Sequence, residues 1–377
     1  MSPIAFHKSR HAACGDTYIV SDLGIFVSGF DGLQDYIHRT QSGIAKRCPM
    51  VLWKFKEDYE QPLIASVLTL DKREHFNRRK AVVDLDILPR DSIPQEVSEL
   101  IEKCILNGNL TMNSRTTAFK KFIYKQLRVN VDDQILDDLN KPLPMFFTLL
   151  LSVYLPEKLL VTDKKRKSIE NLAKLLIEQY PNMSYEDALT TIGSTESGIN
   201  VIIFVLFQTI KQIIKHNLIN IIREELETGS DNLLYRCFFD ASRFAKYHGG
   251  GTAVETLETP QQITIDNKTL TLQAGESLIR SIPYNLQDPK YFSTDFYPYQ
   301  PNIDLIRATT FNGIYATNGK IDTNFHNRSC SGQVILPIII VEIIKQLILN
   351  YTWDSDNANG LETPFQSITL KNIRKKH

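Results

Sequence analysis

The sequence predicts a mainly α-helical fold with a small β portion, and three observations carry that prediction. From about residue 71 to 245, apolar residues recur at three- and four-residue spacing with few prolines between them. Short β-like runs fill parts of the first 70 residues and return at 262–281. A stretch with little periodicity, 283–330, then leads straight into a last apolar helix, and an irregular segment of that length is usually functional.

The elements follow in order. Residues 17–20, 24–27 and 63–70 read as strands broken by glycine and aspartate. Residues 169–180 form an amphipathic helix with Leu172, Leu175 and Leu176 on one face. A long helix spans 185–215, with Ser184 and Asp187 as cap and box partner, and its centre (NVIIFVLF) is apolar on all sides, as a buried helix requires. A polar helix at 216–228 ends near Gly229, and another at 231–246 runs into Gly249–Gly251. Strands at 262–265, 269–272 and 277–281 are separated by turns at Asp266-Asn267 and Ala274-Gly275. The last helix covers 333–349, and the basic tail 371–377 is expected to fray. No repeat or linker divides the chain, so a single domain over 1–377 is expected, with β-rich parts at about 15–70 and 255–282.

Composition narrows the function. Lys+Arg and Asp+Glu both number 43 among 377 residues, so no bulk charge draws the chain to nucleic acid. A hydrophobic content of 42% is enough to exclude a disordered chain. The longest apolar runs, 201–207 and 334–341, fall far short of the roughly 20 residues of a spanning helix, so no membrane anchor is expected. The first residues carry no apolar signal region, and the five cysteines (Cys14, Cys48, Cys104, Cys237, Cys330) form no CxxC pair. A reducing, cytoplasmic setting is the expectation.

Four clusters carry possible chemistry. Cys330 precedes a strong helix, where orphan N–H groups and the helix dipole lower a thiol's pKa and suit it to bind a soft metal. The alternative is plain packing. Asp240 and Arg243, at i and i+3, can pair on one helix face, and their neighbours Phe238, Phe239, Ala241 and Phe244 imply burial. Gly193-Ser194-Thr195-Glu196 interrupts an apolar helix, as a bulge facing a ligand or an ordinary turn would. His75 and Arg79, one helical turn apart, offer two cationic donors to a carboxylate, or a solvated basic face.

In this order the clusters resemble the cytochrome P450, or haem-thiolate, family, as a divergent soluble member, over roughly residues 60–350. His75-x-x-x-Arg79 looks like the propionate-binding segment, the helix around Gly193–Glu196 like the long distal helix, Asp240-x-x-Arg243 like the Glu-x-x-Arg motif, and Arg328-x-Cys330-x-Gly332 like the core of the haem-binding loop. The resemblance implies haem b, iron protoporphyrin IX, lying between the long central helix and the helix after Cys330, with Cys330 as axial iron ligand. Arg328, His75 and Arg79 would hold propionates, and Gly332 and Gly193 would line the cofactor. Thr195 and Glu196 would deliver protons, and Asp240 and Arg243 would fix the loop structurally. Ile192, Ile199, Phe146, Val254 and Leu257 would line the substrate pocket.

The implied activity is monooxygenation of a small or medium apolar or aromatic substrate, as in secondary metabolism. Electrons would come from NAD(P)H through a ferredoxin-type partner. The family pattern is broken in several places. Thr323 and His326 replace the loop's Phe and Gly, Gln300 replaces the meander Arg, Glu255 or Thr256 falls where an Arg is expected, and the distal acid and alcohol stand in reversed order. Two alternatives therefore stay open: atypical chemistry (oxidative aromatic coupling, peroxide use or hydroperoxide rearrangement) and a non-catalytic relative.

Overall fold

The computed structural model describes residues 18–21, 24–27, 30, 33–34, 45–47, 85, 91–143, 157–245, 252–257, 259–265, 268–275, 277–281, 285–310, 330–354 and 367–376. Strands β1 (Tyr18–Ser21), β2 (Gly24–Val27) and β3 (Ala45–Arg47) come first, then helix α1 (Ile93–Cys104) and strands β4 (Ile105–Leu106) and β5 (Asn109–Asn113). Helices α2 (Thr117–Gln126), α3 (Asp133–Leu139), α4 (Glu157–Leu160), α5 (Asp163–Gln179), α6 (Tyr185–Lys215), α7 (Ile219–Glu227) and α8 (Asn232–Ser242) form the central block. After β6 (Thr252–Leu257), β7 (Gln261–Ile265), β8 (Lys268–Leu272) and β9 (Ser277–Ser281) come α9 (Ile303–Thr310), a 3-10 turn at Ser331–Gln333, α10 (Ile335–Asn350) and strands β10 (Tyr351–Thr352), β11 (Ser367–Leu370) and β12 (Arg374–Lys375).

The expected β portion assembles from both ends of the sequence. Five strands pair in the order β1-β2-β9-β6-β3. β2 runs parallel to β9 with Ile25 opposite Leu278, while β6 runs antiparallel to both β9 and β3. The run at 63–70 lies outside the described residues.

Helix α6 has the predicted bounds. The Ser184 hydroxyl oxygen accepts the Asp187 N–H at 3.1 Å and its O–H donates to the Asp187 carboxylate at 2.7 Å, closing the first turn. By length and hydropathy α6 could cross a bilayer, but 67% of its most apolar window is buried inside the protein. Its apolarity therefore serves the core, where it packs against α5, α8 and α10.

The structure departs from the sequence reading in three places. A hairpin, β4–β5, interrupts the helical block, and β5 pairs with the distant β11, Met112 opposite Ile368. Helix α9 lies inside the stretch read as irregular. The tail is anchored rather than frayed: Lys376 Nζ donates to the carbonyls of Ile348 and Leu349 at 2.8 and 3.0 Å, at the C-terminal end of α10. A cation there satisfies last-turn carbonyls and complements the helix dipole.

Candidate functional site

Three of the five cysteines fall among the described residues. Cys104 and Cys237 are buried, and burial pushes both thiols up, Cys104 to about 12, so neither is set up to ionise. Cys330 is exposed. Its backbone is extended (φ −65°, ψ 130°), it caps the 3-10 turn, and its Sγ accepts the Gly332 N–H at 3.3 Å. A Cβ at Gly332 would lie 2.7 Å from Leu336 Cδ1 and 2.8 Å from Cγ, so a larger residue there would have to displace the half-buried Leu336 side chain. The short turn thus lays the backbone against α10 and leaves the sulfur accessible beside an N–H donor.

Asp240 and Arg243 are both fully buried at the end of α8. The guanidinium makes four hydrogen bonds and an ion pair. Nε donates to Asp240 Oδ1 at 2.9 Å, Nη1 to the carbonyls of Leu286 and Ser293 at 3.1 and 2.8 Å, and Nη2 to the Asp295 carbonyl at 3.1 Å, while Nη2 stands 2.9 Å from Asp240 Oδ1 in the ion pair. One side chain therefore ties α8 to segment 286–295. Asp240 Oδ2 accepts the Tyr297 N–H at 2.7 Å. Gln300, expected as a neutral partner for Arg243, instead donates its amide N–H to Asp240 Oδ1, while its Oε1 accepts the Ser293 N–H at 3.3 Å. Burial pushes the Asp240 carboxyl up, and Arg243, Tyr297 and Gln300 pull it back. A neutral amide at 300 leaves this buried cluster with one carboxylate and one cation, where an arginine would add an excess charge.

On α6 the distal residues separate into two faces. Ile192, Glu196 and Ile199 lie on one stripe with Ile203, all buried in the core. Glu196 has both carboxylate oxygens engaged: Lys120 of α2 forms an ion pair with Oε2, and the Tyr124 hydroxyl donates to Oε1 at 3.1 Å. The acid expected to deliver protons is thus held in a buried pair, and the two isoleucines expected in the pocket sit beside it. The other face carries Ser194, Gly198 and Val201, all half-buried. A Cβ on Gly198 would meet nothing within 4 Å, so α6 opens onto free space there. Thr195 is half-buried on the shoulder between the faces. Gly193 is buried, and its carbonyl accepts the Ser197 hydroxyl at 2.8 Å. The sequence reading chose the first glycine of this helix; the second, five residues on, is the one facing open space.

A second buried lysine, Lys165 of α5, donates to the Leu143 carbonyl at 2.5 Å. Burial, then the charge on Lys120, lowers it from its ordinary 10.5 to about 7, with Glu196 pulling the other way. Between pH 7 and 10.5 the unfolded chain holds the proton that the folded chain has released. Stability should therefore climb with pH across that window, by up to about 1.4 kcal/mol per pH unit, and be lowest below it. Urea unfolding at pH 6 and pH 9 should show the rise in the native protein and a smaller one in Lys165→Met.

His75, Arg79, Phe146 and Arg328 lie outside the described residues, as do Thr323 and His326. Val254 and Leu257 are placed on β6 by backbone pairing with Ile279 and Ala45.

No family model matches the chain, and no curated protein matches it by sequence. Solved structures do. Cytochrome P450BioI, crystallised with an acyl carrier protein bearing hexadec-9Z-enoic acid, superposes with a TM-score of 0.69 at 12% identity, over 98% of both chains. The chain has the cytochrome P450 fold. A thermophilic cytochrome P450 from Sulfolobus tokodaii matches at TM-score 0.67 and 11% identity over 99% of this chain and 100% of its own. Cytochrome P450EX alpha with myristic acid matches at 0.66 and 14%, over 99% and 95%.

Proposed function

We propose that the chain is a haem-thiolate oxidative enzyme with Cys330 as the axial iron ligand. The observation that carries this reading is the exposed Cys330 sulfur capping the turn into α10, in a chain of P450 fold. The chain's own residues suit the cofactor. Of the described cysteines only Cys330 is accessible, its donor is a soft sulfur, the Gly332 backbone presses close against Leu336, and Gly198 leaves space on α6. When bound, haem b supplies the oxidising iron, and a thiolate ligand favours O–O cleavage. His75, Arg79 and Arg328 remain our candidates for the propionates, and Phe146, Val254 and Leu257 for the pocket.

The remaining residues orient and exclude. The Gly332 N–H stabilises negative charge on the Cys330 sulfur. Arg243 and Asp240 hold segment 286–297 against α8, which packs on α10. On the open face of α6, Val201 presents apolar surface and Thr195 is the nearby hydroxyl we retain for proton delivery. We assign monooxygenation of an apolar or aromatic substrate in the cytoplasm, driven by NAD(P)H through a ferredoxin-type donor. Fatty acyl and steroid ligands named with the matching structures support an apolar substrate: myristic acid, arachidonic acid and testosterone.

One observation favours a second reading, peroxide use. With Glu196 engaged by Lys120 and Tyr124, the open stripe of α6 carries no acid. Turnover with hydrogen peroxide and no reductase would select this reading; dependence on NAD(P)H and ferredoxin selects the first.

The test is the absorption spectrum of the ferrous protein under carbon monoxide. The native protein should give a thiolate-type Soret band and Cys330→Ala should lose it entirely. A thiolate band surviving in Cys330→Ala would place the ligand elsewhere.

A further inference from the structure

We propose that Glu196 is a positioning residue: its buried contact with Lys120 and Tyr124 sets the roll of α6 about its axis, and so decides that the Ser194–Gly198–Val201 stripe faces the ligand. This rests on the haem reading above, because the ligand in question is one that binds at the iron.

At 3.6 residues per turn, Glu196 stands roughly 170° from the centre of the Ser194–Gly198–Val201 stripe. An apolar core face tolerates repacking, so it fixes a helix's roll less sharply than a directional polar contact does. Ile192, Ile199 and Ile203 on the stripe of Glu196 present such a face, and Asn200 is a further buried polar side chain beside them. An ion pair and a hydroxyl hydrogen bond are directional, and a buried carboxylate cannot leave its partners without a large penalty. Lys120 and Tyr124, one turn apart on α2, reach the two different oxygens of the carboxylate, so both the height and the rotation of α6 are specified. The hydroxyls of Thr190, Thr191, Ser197 and Thr209 all bond to carbonyls of α6 itself, so none of them offers a competing contact. The consequence falls on the opposite face, where Gly198 provides the gap that an incoming ligand can fill.

The experiment uses haem-loaded, full-length protein and two iron-binding probes, imidazole and 4-phenylimidazole, titrated by their optical shift. The ratio of the two affinities reads ligand space on the distal side and is independent of turnover. Gly198→Leu, which also removes a poor helix former, should weaken 4-phenylimidazole relative to imidazole by about 10- to 100-fold.

Lys120→Met/Glu196→Leu replaces the pair with apolar groups of similar size. It should stay folded, with a urea midpoint lowered only by what the stranded Tyr124 hydroxyl costs, yet shift the ratio by about tenfold, because the rotational anchor is gone. A merely structural pair would leave the ratio unchanged in a folded double variant, and that result overturns the proposal. So does an unchanged ratio in Gly198→Leu. Should the double variant fail to fold, Lys120→Met/Tyr124→Phe/Glu196→Leu, which also removes the stranded hydroxyl, decides by the same ratio. A native protein with no imidazole-induced shift would instead sink the haem reading itself, and this proposal with it.

Discussion

Arg243→Ala should lose about 3–5 kcal/mol of unfolding free energy, the range for breaking one side of a buried ion pair. Typical domains hold only about 5–15 kcal/mol in total, so much of the protein should be recovered unfolded or without haem. The loss has two sources. Asp240 keeps its bonds from Tyr297 and Gln300 but loses its only counter-charge among the described residues. The carbonyls of Leu286, Ser293 and Asp295 lose their buried donor together, and segment 286–295 is released from α8 at three points.

Arg243→Lys separates these sources. It retains the charge, but three donors on a point-like ammonium cannot replace five in a plane, nor stack over Phe244 as the guanidinium does at 4.7 Å. It should fall between the native protein and Arg243→Ala. Urea unfolding and the haem-to-protein absorbance ratio check both variants, and equal stability of Arg243→Lys and native protein would show that charge alone matters.

How much of this was legible in the sequence differs from element to element. Helix α6 was readable to the residue because its apolar centre and its Ser184 cap are both local signals. Three strands of the five-stranded sheet, β1, β2 and β9, were readable because alternation and turn residues are local too, whereas β3 and β6 were not among the runs read as strands. The hairpin β4–β5 carried a signal that the surrounding helical periodicity hid: Asn107-Gly108, with φ of 51° and 72°, is the residue pair that a tight hairpin turn demands. The anchored tail was not legible, because Lys376 finds its carbonyls only after α10 is in place. At the site, Cys330, Asp240 and Arg243 stood out by spacing within single segments. Which way Glu196 points could not be read, because that depends on a lysine 76 residues earlier in the chain. Helix periodicity states which residues share a face, and only the packing partners say which face turns inward.

That dependence makes Lys120 the most informative single change on α2. Lys120→Ala removes the paired cation and leaves the buried Glu196 carboxylate with the Tyr124 hydrogen bond and the more distant charge of Lys165. A loss of about 3–5 kcal/mol is expected, comparable with that of Arg243→Ala although the site lies on different helices. The burial that gives the pair its strength also sets this penalty: water reaches neither partner, so the stranded charge has no alternative solvation. Removing both charges together, as in Lys120→Met/Glu196→Leu, should restore most of the loss. The measured coupling between the two positions should then approach the whole effect of the single change. Double-mutant cycles in urea supply that number. A loss in Lys120→Ala no larger than the roughly 1 kcal/mol ceiling of a surface pair would mean that Glu196 escapes to solvent when its partner is gone. In that case α6 can roll by enough to bring Glu196 toward the open face, where the sequence alone had placed it.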